Sequence, residues 1–207
     1  LTPTGIAVGL GTRVQSTQTD FTQGAFSQTN APFDVAIEGK GFFVVADPST
    51  GQNVYTRQGN FSLNNQGQLV MGSAQTGRIV QPPITIPQDA LNVVISSEGV
   101  VSFNQVGNPQ FTQAGTLQLA QFINPEGLIK QGEGIYLESQ ASGAAVQTNP
   151  GTQGVGLLRQ GALELSNVEP VRELIDLITT QRSFELNSQA VQAGDQVLQL
   201  VANLRRF

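Results

Sequence analysis

Fifteen carboxylates and ten cationic side chains, with no histidine and no cysteine, are the chemically active groups of this 207-residue chain. Without histidine, the usual proton carrier near neutral pH and the commonest metal ligand are absent. A Ser-His-Asp or Cys-His nucleophile is therefore impossible, as is a cysteine-histidine zinc site. Two carboxylates suffice for a glycosidase, and Asp34 and Glu38 share one face of a strand-like run. Four residues of strand set them roughly 13 Å apart, whereas retaining and inverting pairs need about 5 to 9.5 Å. Carboxylates paired across strands stay open at this level. The glycines of residues 151–156 (GTQGVG) are followed by no phosphate-binding lysine, so they read as a flexible loop. Asn60-Phe61-Ser62 matches a glycosylation sequon by chance in a β-rich context. The expectation is a chain with no catalytic, cofactor or metal site.

Composition narrows the partners. Charged residues make up 12% of the chain, about half the usual share of roughly 25%. Twenty-six glutamines, with many Thr, Ser and Asn, fill that place. Such a surface carries little like-charge repulsion and suits a protein that packs against copies of itself. The net charge of −5 with two lysines gives no basic cluster for nucleic acid. No apolar run approaches the ~18 residues of a membrane span. The absence of cysteine fits an oxidising compartment without establishing one. The chain begins at Leu1 with no signal-peptide pattern.

The elements that would position any working surface divide the chain into four. Residues 1–23, rich in Thr and Gln, form an extended connector. Residues 24–138 form a β-rich body. Residues 34–38 (DVAIE) alternate with period two and 41–46 (GFFVVA) form a fully apolar strand, with a tight turn between them at 38–41 (EGKG). Three further segments run from strand residues through a polar turn that closes on Gly67, Gly99 and Gly127, and each reads as a hairpin. Residues 81–87 (QPPITIP) form an extended crossing, since proline cannot donate to a central ladder. Residues 139–165, rich in Ala, Gly, Ser, Thr and Gln, form a returning connector. The fold class is mainly β, an antiparallel hairpin-rich domain with extended connectors and one long C-terminal α-helix.

That helix, residues 166–207, opens with the capping-box spacing of Ser166 and Glu169. At 1.5 Å per residue it would span roughly 60 Å, more than a small domain's diameter. Leu177, Phe184, Val191 and Leu198 recur every seven residues, one column of a coiled-coil seam. The companion column reads Leu174, Gln181, Ser188, Asp195 and Ala202. Val171, Ile175 and Ile178 flank the seam early, and Val197, Leu200, Val201 and Leu204 flank it late. Acidic Glu169, Glu173 and Asp176 precede basic Arg205 and Arg206, as the helix dipole favours. Such a helix can lie on its own β-domain, but its length favours partners outside it. Val171, Leu174, Leu177, Ile178, Gln181, Phe184, Ser188, Val191, Asp195, Leu198, Val201 and Leu204 are the expected assembly interface.

Segments along the whole chain resemble the axial rod and hook proteins of the bacterial flagellum, the distal rod branch above all. They are residues 3–14 (PTGIAVGLGTRV), 21–24 (FTQG), 30–34 (NAPFD), 37–43 (IEGKGFF), 55–61 (YTRQGNF), 65–70 (NQGQLV), 163–168 (LELSNV) and 177–187 (LITTQRSFELN). The resemblance implies a structural subunit stacked helically into a hollow shaft that carries torque from motor to hook, in the periplasmic part of the basal body. Its implied partners are further copies, the proximal rod and hook proteins, and the surrounding rings. Terminal helices would form an inner coiled-coil tube and the β-domain an outer shell. A family N-terminal helix is expected ahead of Leu1. A body this compact has no room for the hook's extra outer domain. A β-rich secreted adhesin or phage-tail-like binding protein is the alternative; it would gather exposed aromatics into one patch, whereas the eleven Phe and two Tyr lie mostly in strand-like runs.

Overall fold

A computed structural model of the chain describes residues 13–75 and 77–204. Two compact units result, Leu1–Leu165 and Ser166–Phe207. The first is a β-body and the second a helix, and each is described by itself.

The apolar run at Phe42–Ala46 is the centre of the body. Alternate side chains of a strand point to opposite faces, and here both faces are covered. Phe43 and Val45 enter a large core with Val35, Ile37, Leu69, Ile84, Leu117 and Leu119. Phe42 and Val44 enter a smaller cluster with Tyr55, Ala120 and Phe122. A strand covered on both faces reads as a continuous apolar run rather than an alternation. Full burial of each such side chain contributes about 1.5–3 kcal/mol.

Phe42–Ala46 pairs antiparallel with Asn53–Thr56, Arg78–Val80 and Leu119–Gln121. The sheet extends through Leu69–Met71 to Phe61–Leu63 on one side and through Ile135–Leu137 to Ile129–Gly132 on the other. A separate three-stranded sheet is formed by Ala90–Ile95, Val100–Gln105 and Asn108–Thr116. The segment between Val80 and Ala90 crosses in extended form, anchored by buried Ile84 and Ile86.

Two of the three expected hairpins form. Phe61–Leu63 pairs with Leu69–Met71 around Gly67 (φ 76°), and Ala90–Ile95 with Val100–Gln105 around Gly99 (φ 84°). Those positive φ values are the left-handed conformation that glycine adopts without strain. The third does not form. Leu119–Gln121 pairs with Val146–Thr148 instead, and Pro125–Gly127 makes a 3-10 turn. The fixed φ of Pro125 starts that turn, and Gly127 is small because a Cβ there would lie 2.6 Å from the Ala141 backbone. The 38–41 turn forms as well, yet it links strands of different sheets, because Val35–Glu38 pairs with Leu157–Gln160. Ala36 is buried along with Val35 and Ile37, so that strand is covered on both faces rather than alternating.

Residues 139–165, expected as a connector, contribute three strands to the body. Val146–Thr148 extends the central sheet, Leu157–Gln160 pairs with Val35–Glu38, and Ala162–Glu164 pairs with Phe26–Gln28. The glycine run at 151–156 is a tight turn rather than a flexible loop, closed by the Gly151 N–H donating to the Gly156 carbonyl at 3.0 Å. Of the N-terminal connector, residues 1–12 lie outside the described residues. Residues 13–25 carry no helix or strand, but the Phe21 ring packs 5.4 Å from Phe42 and 5.2 Å from Tyr136.

The helix runs Pro170–Leu204, 35 residues, a length of roughly 50 Å. It starts later than expected. Ser166 Oγ accepts the Val168 N–H, so the capping box is not formed, and proline occupies the first turn as its missing N–H permits. Arg205 and Arg206 lie outside the described residues.

Candidate assembly surfaces

On an α-helix each residue advances about 100°, so a seven-residue repeat drifts by ~20° per heptad. Leu177, Phe184, Val191 and Leu198 therefore form one slowly winding stripe. Val171, Ile175, Ile178, Leu186, Val197 and Leu200 fall on the opposite side. All ten are exposed in the isolated chain, Phe184 by 74% and Val191 by 66%. Leu174, Gln181, Ser188 and Asp195 lie along one flank between the stripes. The expected interface residues thus divide over two opposed apolar faces rather than a single seam. The side chains of Val201 and Leu204 lie outside the described residues.

Three hydroxyls along the helix find their partners within it. Thr179, Thr180 and Ser183 donate to the carbonyls of Ile175, Asp176 and Thr179 at 2.8–2.9 Å. Hydroxyls satisfied one turn back leave the stripes as the groups whose hydration is unfavourable. This helix can be covered on two sides at once, which a one-faced amphipathic helix cannot.

The body carries a second feature that the sequence did not reveal. Arg57, at the end of Asn53–Thr56, and Glu164, in Ala162–Glu164, form an ion pair with side chains only 17% and 11% exposed. Arg57 Nε donates to Glu164 Oε2 at 2.9 Å, and Nη1 donates to the Gly39 and Gly41 carbonyls at 3.1 Å each. Nη2 donates to Gly39 O at 3.1 Å and lies 2.9 Å from Glu164 Oε2. Glu164 Oε1 accepts the Gly24 N–H at 3.1 Å. Beside this cluster, Gln23 Nε2 donates to Ile37 O at 2.6 Å while its Oε1 accepts the Gly39 N–H. The Phe42 ring lies 6.0 Å beneath the guanidinium. A planar fork with five donors suits this convergence of carboxylate and carbonyls. The sequence signal was faint: one isolated cation in a chain with few charges, just past an apolar strand.

Other charged and phenolic groups behave as structure. Burial, aided by the nearby Glu138 charge, pushes the Tyr55 phenol up to about 12. Burial also raises Tyr136. Hydroxyls of Ser49 and Thr50 lower the Asp47 carboxyl. Among the described residues no three His, Cys, Asp or Glu side chains converge as metal ligands, and no helix is long and apolar enough to cross a membrane.

Comparison with known proteins accounts for both units. Residues 36–103 match the family described as the flagellar hook protein FlgE/F/G D1 domain, and residues 159–204 match the flagellar basal body rod FlgEFG protein C-terminal family. The chain is 44% identical to the flagellar basal-body rod protein FlgG of Caulobacter vibrioides over 205 residues, 99% of this chain and 77% of that protein. It is 38% identical to the same-named protein of Bacillus subtilis over 202 residues, 96% of this chain and 75% of the relative. The flagellar hook protein FlgE of Salmonella typhimurium aligns over only 119 residues at 39% identity, 29% of its length. Similarity that runs from body to helix at this level identifies the chain as a member of the flagellar basal-body rod protein family.

Proposed function

We propose that this rod-family chain polymerises helically into a hollow distal shaft that transmits torque from motor to hook, working as structure rather than as a catalyst. The observation that carries this reading is the helix with two opposed, exposed apolar stripes. Leu177, Phe184, Val191 and Leu198 would dock on one neighbouring helix, and Val171, Ile175, Ile178 and Leu186 on another. Leu174, together with the polar Gln181, Ser188 and Asp195, would set register or line the channel, at some loss of stability. Val201 and Leu204 would extend the contact at the far end. A head-to-tail interface whose rotation does not close builds an open helical assembly rather than a ring.

In this reading residues 166–207 belong to the inner coiled-coil layer and residues 24–165 to the outer shell. The partners are copies of the chain, the other axial proteins of rod and hook, and the surrounding rings. Neither nucleic acid nor a bilayer takes part, and the shaft lies in the periplasmic section of the basal body. Similarity to rod proteins over nearly the whole chain favours this reading over a secreted adhesin or phage-tail component.

Amide exchange at rising protein concentration tests it. At dilute, monomeric concentration residues 170–200 should exchange rapidly beside a protected body, and protection of the helix should appear together with sedimenting filaments. A helix protected in the monomer, or no filament at any concentration, would exclude the proposal.

A further inference from the structure

We infer that Arg57 is a positioning residue that fixes where the chain enters and leaves the β-body, so that force passing between body and terminal segments crosses one ion-paired joint. The incoming and outgoing chains lie side by side there: Phe26 pairs with Glu164, and the Leu165 N–H donates to Ala25 O at 2.8 Å. The Arg57 guanidinium ties Glu164 on the outgoing strand to the 39–41 turn of the body. Glu164 in turn holds Gly24 on the incoming side. Gln23 fastens the same turn independently. Removing either charge leaves the other nearly buried and unpaired, which is strongly unfavourable.

The turn that receives Arg57 cannot retreat. A Cβ on Gly39 would lie 2.9 Å from Gly156 Cα, and one on Gly156 would lie 2.4 Å from Glu38 O. Backbone therefore meets backbone behind the joint. Lysine keeps the charge at position 57 but presents one nitrogen instead of a planar fork, so it cannot hold the Glu164 carboxylate and two carbonyls in one geometry. Glu164→Gln keeps the shape and removes the charge.

The test is amide exchange with mass spectrometry on the full chain, comparing wild type with Arg57→Lys, Arg57→Met and Glu164→Gln at monomeric concentration. Peptides covering residues 23–28 and 162–165 should exchange about tenfold faster or more in each variant, the scale of a lost charge-assisted hydrogen bond. Peptides covering 42–46 and 119–121 should keep their wild-type rates. Equal acceleration across the whole body would reduce Arg57 to a general stability residue and overturn the inference. Unchanged rates at 23–28 and 162–165 would overturn it too. A role in carrying force rests on the shaft reading above, and its readout is separate: filaments of Arg57→Lys should form but bend more than wild-type filaments in electron micrographs. Filaments as straight as wild type would remove that role. Failure of the wild-type chain to form filaments would instead count against the shaft reading and leave the exchange result standing.

Discussion

Replacing Phe184 with alanine separates the two jobs a helix residue can have. Phe184 is 74% exposed in the isolated chain. A phenylalanine offers on the order of 200 Å², so covering it in a filament removes roughly 150 Å² from water, equivalent to about 3–4 kcal/mol at 25 cal/mol per Å². Alanine retains a minor part of that area, leaving a loss of about 2–3 kcal/mol for each subunit added. At about 1.4 kcal/mol per factor of ten, the critical concentration for filament growth should rise about 30- to 150-fold. The monomer's stability should stay within about ±0.5 kcal/mol, as is usual for surface changes. Ser183→Ala, on the other flank and with its hydroxyl bonded within the helix to Thr179 O, is the control and should shift neither quantity. Sedimentation of filaments against total protein gives the critical concentration, and circular dichroism gives the melt. An unchanged critical concentration for Phe184→Ala would refute the docking of that stripe. So would a monomer melt several degrees lower, because Phe184 would then be packed before assembly.

Two further outcomes concern the body. Its stability should be level from neutral pH to about pH 9 and fall between about pH 10 and 12. The unfolded Tyr55 phenol ionises near 10 while the folded one holds its proton to about 12, so raising the pH favours the unfolded chain by about 2 kcal/mol across that window. Denaturant midpoints measured across this range check it: Tyr55→Phe should flatten the alkaline fall, and an equally steep fall would contradict the assignment. Gly156→Ala should lower the melting temperature by about 5 °C or more, since its Cβ would meet the Glu38 carbonyl at 2.4 Å and overpacking against backbone costs about 2 kcal/mol or more. Gly154→Ala faces open space at φ 81° and should cost only about 1 kcal/mol of backbone strain. Equal melts for the two would show that the turn backs away freely.

The sequence made visible those features whose causes are local. Hairpins at Gly67 and Gly99 follow from turn residues adjacent to the strands they join. Periodicity revealed the C-terminal helix, and the heptad column isolated one of its two stripes. Leu186 and the opposed placement of the second stripe emerge only when all apolar residues are set around the axis. The strands of residues 146–164 were illegible because their composition is polar and their partners lie far back in the chain. Leu158, for example, is paired with Ile37. Pro125 misled in a different way: its fixed φ serves a 3-10 turn as well as the hairpin turn expected there. The pairing of Arg57 with Glu164 spans 107 residues, and no local pattern encodes it.

The joining of Gly24 to Glu164 across 140 residues also dictates an order of events during synthesis. Neither the Val35–Glu38 edge nor the Phe26–Gln28 edge has its partner until residues 157–164 have been made. Long-range pairing of this kind slows folding, because distant ends must be brought together before their contacts repay the lost freedom. Two strand edges, the apolar Val35–Glu38 among them, therefore stay open on the nascent chain for most of its length. A chaperone that shields open edges would find its substrate in that interval, and the last strand to arrive would close the body and end the vulnerability.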